Sequence, residues 1–195
     1  ASAASPTATP CSAAPNGRAR PKPWLQAHIG RRMSGVVASL KQWPSRSAWI
    51  QCFGWLLAIS PILAALAWIG GFASLVPERD PLVWLRLSIV IFLVPALGEE
   101  LLFRSLLVPP PHRPMPLWRW VVAVGLFVAW HPLQAVTFGP PWAAMFLDPW
   151  FLLAVAVLGG ALVAQFRIAG SIWPCVISHW LVVLCWKLIF GGPTV

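Results

Sequence analysis

The chain has 195 residues, of which 58% are hydrophobic and only 10% are charged. Because an average soluble domain carries about 25% charged residues, this composition argues against a water-soluble globular protein and favours a membrane protein of one domain. The formal net charge of +9 is unevenly placed. Seven of the fourteen Lys and Arg residues lie in residues 1–46, and the first acidic residue is Glu78.

Residues 1–46 form an N-terminal region of distinct composition, rich in Ala, Ser, Pro and Arg. Such a stretch cannot bury a core, so we predict a disordered basic tail. Its charge suits the anionic lipid beside a first span better than nucleic acid, and no nucleic-acid partner is expected. An organelle transit segment has a similar composition, but a solvated tail is the preferred interpretation. Residues 47–195 are predicted to form the helical membrane domain.

Five apolar segments are predicted to cross the membrane, since a helix needs about 20 apolar residues to span a bilayer. They cover residues 49–70, 82–107, 117–138, 150–166 and 171–190, and the fourth is the shortest. The predicted fold is therefore an all-α transmembrane bundle in contact with membrane lipids. The sequence does not distinguish the plasma membrane from an internal membrane, such as that of a thylakoid or another organelle.

Basic residues predict which way the bundle is oriented, because cytoplasmic loops collect Lys and Arg. The N-terminal region, the loop with Arg113 and the turn with Arg167 are predicted to lie on the cytoplasmic side. The loop around Asp148 carries no basic residue and is predicted to be external.

Ionisable residues inside the predicted spans indicate a site, because they are costly in a bilayer and usually face the interior of a bundle. The informative ones are Glu99, Glu100 and Arg104 in the second span, His131 in the third and His179 in the fifth. We predict that these three spans form a polar cavity in which Glu99 and the two histidines converge. Either histidine alone would more often be a hydrogen-bonded packing residue than a catalyst.

The two adjacent carboxylates are expected to have different partners. Glu100 and Arg104 are four residues apart, so they can pair along one helix face, which is often a structural arrangement. Glu99 is rotated from Glu100 by about 100° on a helix with about 3.6 residues per turn, and its i+4 neighbour is Phe103. Glu99 is therefore the carboxylate that can meet another helix or a water molecule, as a general base must.

Several other chemistries lack their signatures in this sequence. There is no HExxH helix of the common zinc proteases, no GxSxG nucleophile turn and no Gly-rich phosphate loop. Buried Glu and His residues also occur in small transporters and proton relays. No inverted repeat is visible, which counts against a transporter.

The second and third spans contain "EELLFR" from residue 99 and "FVAWH" from Phe127, and His179 follows in the fifth span. The first two fit the motifs EExxxR and FxxxH, and His179 opens a third motif in which His is followed four residues later by Asn or Asp. In this order, the three motifs resemble those of the CAAX-protease and bacteriocin-processing (CPBP) family of intramembrane endopeptidases. The resemblance covers about residues 85–190 and extends to the type II CAAX prenyl endopeptidases.

The resemblance implies an endopeptidase that hydrolyses a peptide bond in a membrane-associated or prenylated CAAX-type protein. It implies that Glu99 activates water with help from His131, that Arg104 holds Glu100, and that His179 helps to stabilise the oxyanion. No cofactor is expected. Zinc is the alternative, because Glu99, His131 and His179 could hold it with one open position. Against zinc, neither histidine has an acidic residue three or four positions away to orient its second nitrogen.

Position 183 departs from the family pattern, since Val183 stands where Asn or Asp is expected. If that residue donates to the oxyanion, this chain lacks a donor, and Gln134 or Trp130 are candidate replacements. The departure keeps open an alternative function, in which a catalytically weak or inactive family member acts as an immunity or scaffold membrane protein.

Overall fold

The structure is a computed structural model that describes residues 33–193. Five helices form a bundle, and in the described part of the chain the only β-pairing is an isolated bridge between Val76 and Phe190. The helices are α1 (Arg46–Ile69), α2 (Pro81–Ser105), α3 (Leu117–Thr137), α4 (Pro149–Ala169) and α5 (Trp173–Leu188). A 3-10 helix, Pro141–Leu147, precedes α4. The predicted all-α fold is confirmed.

Four of the helices, α1 to α4, are long and apolar enough to cross a membrane. Helix α5 has 16 residues, fewer than the roughly 20 of a typical span. The prediction that the fourth segment is the shortest is therefore wrong, since α4 has 21 residues. Helix α4 continues past its apolar run because Arg167 finds partners there: its guanidinium donates to the carbonyl oxygens of the loop Pro109, Pro110 and Pro111.

Helix α4 is the centre of the bundle. Of its most apolar stretch 56% is buried, against 17–22% for the other three long helices, and α1, α3 and α5 all pack against it. The outward faces of α1 to α3 carry large apolar side chains such as Leu57, Leu82 and Val121, all of them exposed. A water-soluble protein rarely exposes so much apolar surface, whereas a lipid-facing bundle must.

Capping side chains fix where three of the helices begin. The side chains of Ser45, Asp80 and Asp148 accept hydrogen bonds from backbone N–H groups in the first turns of α1, α2 and α4. Pro81 and Pro149 occupy the first position of α2 and α4, where a missing N–H costs nothing.

The prediction of a disordered tail over residues 1–46 is wrong for residues 33–46. Residues 33–41 are helical and pack against the bundle. Ser39 Oγ lies 2.8 Å from Ser105 Oγ, and the Trp173 indole donates to the carbonyl oxygen of Leu40 across 2.9 Å. The Ala/Ser/Pro bias that predicts disorder lies earlier in the sequence, whereas "SGVVASLKQW" contains enough apolar residues to dock. Residues 1–32 lie outside the described residues.

The second half of α2 is wound more loosely than an α-helix. It is α-helical to Ile91 and π-helical over Phe92–Glu99 and Leu101–Ser105. Pro95 lies in this stretch, and a proline has no N–H to donate and crowds the carbonyl group four residues earlier, which here is that of Ile91. Turns of this kind are frequent at functional sites. Here the loosely wound segment carries both Glu99 and Glu100.

Candidate active site

Glu99 projects from α2 towards α3, and its two oxygens have different surroundings. Oε1 accepts hydrogen bonds from Trp130 Nε1 at 3.0 Å and from Gln134 Nε2 at 3.4 Å. Oε2 is buried and has no hydrogen-bond partner within residues 33–193. As the sequence predicts, Glu99 meets another helix.

Trp130 and Gln134 reach the same oxygen because they are four residues apart on α3 and share one helix face. An indole N–H can only donate, so the Trp130 contact fixes the direction of the bond. From the sequence, both residues are candidate oxyanion donors. In the structure both donate to Glu99 instead, so they hold that carboxylate in place.

Glu100 is fully buried and joins α2 to α5. Its Oε2 lies 3.0 Å from Arg104 Nε, which confirms the predicted pair one helical turn apart. Its Oε1 lies 2.9 Å from Nδ1 of His179. Sequence spacing does not predict this second contact, because the partner is 79 residues away. The adjacent carboxylates thus serve two different helices.

Arg104 is 1% exposed, and its guanidinium makes one polar contact and one aromatic contact. The polar contact is an ion pair with Glu100 whose alignment falls outside hydrogen-bond geometry. The guanidinium carbon lies 4.1 Å from the centroid of the Phe127 ring. Nη1 and Nη2 are buried and have no hydrogen-bond partner in the described chain.

Both histidines face the interior, since His131 is 8% exposed and His179 is 3% exposed. Nδ1 of His131 lies 3.0 Å from the carbonyl oxygen of Phe127. A carbonyl oxygen only accepts, so Nδ1 carries the hydrogen, and the same logic applies to His179 Nδ1 facing the Glu100 carboxylate. A neutral imidazole in this tautomer presents an unprotonated Nε2. Each neutral imidazole therefore keeps Nε2 as a hydrogen-bond acceptor.

The Phe127 ring contacts Arg104 and both histidines. It is 1% exposed, as expected of a core residue. Its ring centroid lies 5.2 Å from that of His131 and 5.9 Å from that of His179, and both contacts are edge-on. The ring fits closely against α4, because a Cβ added to Gly159 would lie 2.9 Å from Phe127 Cδ1. The Phe127 ring is thus the common neighbour of Arg104 and both imidazoles.

Aromatic side chains close the site beside His131. The Phe146 ring, from the 3-10 helix, lies 5.3 Å from the His131 ring and stacks on Phe151 at 4.9 Å. Trp142 packs edge-on against Phe146. An apolar wall of this kind limits bulk water and strengthens electrostatic interactions inside the site.

The ligands of the zinc alternative, Glu99, His131 and His179, do not form one ligand set. Within residues 33–193, no group of three or more His, Cys, Asp or Glu side chains is arranged to hold a metal ion. Each histidine nevertheless has an orienting partner, of a kind that a search for acidic side chains three or four positions away does not find. Nδ1 of His131 is held by a backbone carbonyl group four residues earlier, and Nδ1 of His179 by Glu100 on another helix. Such partners orient metal ligands in other proteins, but a zinc ion here would lack a preformed set of three.

Val183 lies one turn after His179 and is partly buried. It packs with the apolar cluster that joins α5 to α2, whose members include Leu87 and Leu184. Position 183 therefore supplies apolar packing and no hydrogen-bond donor.

The chain matches a family model described as type II CAAX prenyl endopeptidase Rce1-like over residues 81–185, more than half of its length. The matched region includes Glu99, Glu100, Arg104, His131 and His179. No curated protein and no solved structure matches the chain. Together with its long apolar helices, the family match shows that the chain is an integral membrane protein that belongs to the Rce1-like family of type II CAAX prenyl endopeptidases, a protease family.

Proposed function

We propose that the protein is an intramembrane endopeptidase in which Glu99 activates the attacking water molecule. The observation that supports this most strongly is the difference between the two oxygens of Glu99. Oε1 is held by two donors from α3, while Oε2 is buried and unpaired in the described chain. A general base needs both a fixed position and a free lone pair, and this carboxylate combines them.

The proposed reaction has two steps and uses no redox chemistry. Glu99 Oε2 takes a proton from water while the water oxygen bonds to the carbonyl carbon of the scissile peptide, and the C=O π electrons move onto the carbonyl oxygen. Glu99 then passes the proton to the peptide nitrogen, the C–N bond breaks, and a carboxylic acid and an amine leave. In the first step Nε2 of His131 accepts the second hydrogen bond of the attacking water.

The Glu100 carboxylate has a supporting role in this proposal. It is shared between Arg104 on its own helix and His179 on α5. It therefore fixes the separation of α2 and α5 and the tautomer of the His179 imidazole. With both oxygens facing these partners, Glu100 positions the two side chains and does not contact the attacking water in this proposal.

The substrate class follows from the family. Its members act on CAAX-type proteins, so we propose a prenylated or otherwise membrane-associated protein whose peptide bond reaches Glu99. We expect contact with membrane lipids and no nucleic-acid partner, because the outward faces of the helices are apolar.

The second candidate is a weakly active or inactive member that acts as an immunity or scaffold protein by binding another membrane protein. Val183 favours it, since the residue one turn after His179 packs with aliphatic side chains and donates no hydrogen bond. Hydrolysis of a substrate distinguishes the two candidates.

The test is cleavage of an internally quenched, prenylated CAAX peptide by the purified chain in lipid nanodiscs. We expect cleavage by the wild type and a loss of about 10²–10⁴-fold in Glu99→Gln, the usual contribution of a general base. Glu78→Gln is the matched control, because Glu78 lies in the loop before α2 and its side chain accepts from the backbone N–H groups of Arg79 and Asp80. Equal cleavage by the wild type and Glu99→Gln would refute the proposal. Peptide binding without cleavage by the wild type would support the scaffold.

A further inference from the structure

Hydrolysis through Glu99 places negative charge on the carbonyl oxygen of the substrate. Enzymes stabilise such an oxyanion with N–H or O–H donors already in position, and the loss of one donor costs about 10²–10³-fold in rate. The possible donors of this site are the side chains that carry N–H or O–H groups, and each can be checked for a hydrogen bond that it already makes.

Most of the donors are already engaged. The indole of Trp130 and the amide of Gln134 both donate to Glu99 Oε1. Nδ1–H of His131 faces the carbonyl oxygen of Phe127, and Nδ1–H of His179 faces Glu100. In the neutral imidazoles Nε2 can only accept. Trp130, His131 and His179 therefore cannot donate to an oxyanion without giving up a present bond or gaining a proton. The amide of Gln134 has a second N–H, but it is a neutral donor.

Arg104 is the cationic donor of the site, and its N–H groups are not all engaged. Its Nη1 and Nη2 are buried and have no hydrogen-bond partner among residues 33–193, and the side chain is 1% exposed. An unsatisfied buried donor is costly, and more so when it is charged, so its presence in a folded protein calls for a reason. Ser178 Oγ is buried and unpaired as well, but a hydroxyl group carries one hydrogen and no charge.

The guanidinium also shares an aromatic neighbour with both histidines of the proposed site. It is 4.1 Å from the centroid of the Phe127 ring, the same ring whose edge contacts bring in His131 and His179. Its Nε is held 3.0 Å from Glu100 Oε2. One edge of the planar group is thus anchored, which leaves the Nη edge fixed in orientation and available to a ligand.

We propose that Arg104 is a catalytic residue whose Nη groups donate hydrogen bonds to the carbonyl oxygen of the scissile peptide and stabilise the oxyanion. The inference rests on the proposed function and adds to the role of Arg104 as the partner of Glu100. No proton is transferred, since a guanidinium keeps its protons throughout. The step that Arg104 assists is the addition of water to the carbonyl group.

The test compares two peptides of one sequence, an ordinary amide and a phosphinate that carries the tetrahedral anion of the intermediate. Binding of both is measured in a Glu99→Gln background, where the amide is not expected to be turned over. Substitution Arg104→Gln should weaken binding of the phosphinate about 100-fold more than binding of the amide, because an oxyanion donor binds the transition state better than the substrate. Arg104→Lys keeps the charge beside Glu100 and should show a smaller loss of the same kind.

A purely structural role makes a different forecast. If Arg104 only holds Glu100, Arg104→Gln weakens binding of both peptides equally. It then causes no further loss of phosphinate affinity in a protein in which Glu100→Gln has already broken the pair. If Arg104 is a donor, adding Arg104→Gln to Glu100→Gln lowers phosphinate affinity by a further factor of about 10 or more. Thermal unfolding of each variant identifies those that do not fold, and Arg104→Lys decides the question if Arg104→Gln is among them.

Two results would overturn the inference. One is equal weakening of the two peptides in both Arg104 variants. The other is a selective loss of phosphinate binding in His179→Gln while the Arg104 variants bind it normally, which would assign the donor to a protonated His179. Neither depends on turnover. Cleavage that survives Glu99→Gln would instead contradict the proposed function itself, so the two failures are distinguishable.

Discussion

The indole N–H of Trp130 donates to Glu99 Oε1 across 3.0 Å and so ties the proposed base to the neighbouring helix. Substitution Trp130→Phe keeps an aromatic ring but removes this donor. A hydrogen bond to a charged group contributes about 1.5–3 kcal/mol, and its loss lets the carboxylate turn away from the water. We expect kcat to fall by about 10-fold or more, with KM nearly unchanged.

The matched control is Trp55→Phe, because Trp55 is exposed on the outer face of α1. It should leave kcat and KM at their wild-type values in the same nanodiscs. If Trp130→Phe raises KM and leaves kcat alone, the indole binds substrate and does not position the base.

The two adjacent carboxylates should differ in their effect on stability. Glu100 is fully buried between Arg104 and His179, so Glu100→Gln leaves a buried cation without its partner, a cost of about 3–5 kcal/mol. In Glu99→Gln the side-chain carbonyl oxygen can still accept from Trp130 and Gln134. We expect Glu100→Gln to lose both stability and activity and Glu99→Gln to lose activity alone. Equal melting temperatures for the two variants would contradict this division.

Gly159 tests the fit of the Phe127 ring against α4. A Cβ at this position would lie 2.9 Å from Phe127 Cδ1, and the ring has little room to move because Arg104 lies over its face. Overpacking of this kind costs about 1–3 kcal/mol. We expect Gly159→Ala to lower both the melting temperature and kcat, since a displaced ring disturbs Arg104 and both imidazoles.

Gly125→Ala is the control for that variant. Gly125 lies inside α3, and a Cβ there would meet nothing within 4 Å. Alanine favours a helix over glycine by about 1 kcal/mol, so this variant should be as stable as the wild type or more so. A Gly159→Ala protein that melts and turns over like Gly125→Ala would show that the ring is not held tightly.

Much of the fold could be predicted from the sequence, because a membrane helix is specified by local features. Apolar length predicts the five helices, and a spacing of four residues predicts the pair Glu100–Arg104. The contacts between helices could not be predicted in the same way. Whether Glu99 meets Trp130 depends on how α2 is rotated, and the π-helical winding around Pro95 changes that rotation by an amount that sequence spacing does not reveal.

The contact between Glu100 and His179 was missed for a related reason. A search for partners three or four positions away examines only one helix, whereas this carboxylate approaches the imidazole from another. The helical residues 33–41 were missed because composition averaged over 46 residues hides a short segment that docks. In both cases the deciding interaction is tertiary.

The orientation in the membrane remains a prediction from the distribution of Lys and Arg. Arg113 lies in the loop between α2 and α3, and Asp148 lies in the loop between α3 and α4. In a cysteine-free background, a single cysteine at position 113 should react with an impermeant maleimide only from the cytoplasmic side, and one at position 148 only from the external side. External labelling of position 113 would reverse the predicted topology.

The last prediction is that catalysis does not depend on zinc. A catalytic zinc site needs three protein ligands about 2.0–2.2 Å from one point. Within residues 33–193 no group of three or more His, Cys, Asp or Glu side chains is arranged to hold an ion, so Glu99, His131 and His179 would have to move to form such a set. We expect dialysis against a strong chelator to leave kcat within about twofold of its starting value, and added zinc to leave it unchanged. The experiment should include elemental analysis of the same preparation. One zinc per chain, with activity lost on chelation and restored by zinc, would show that Glu99, His131 and His179 rearrange into a metal site.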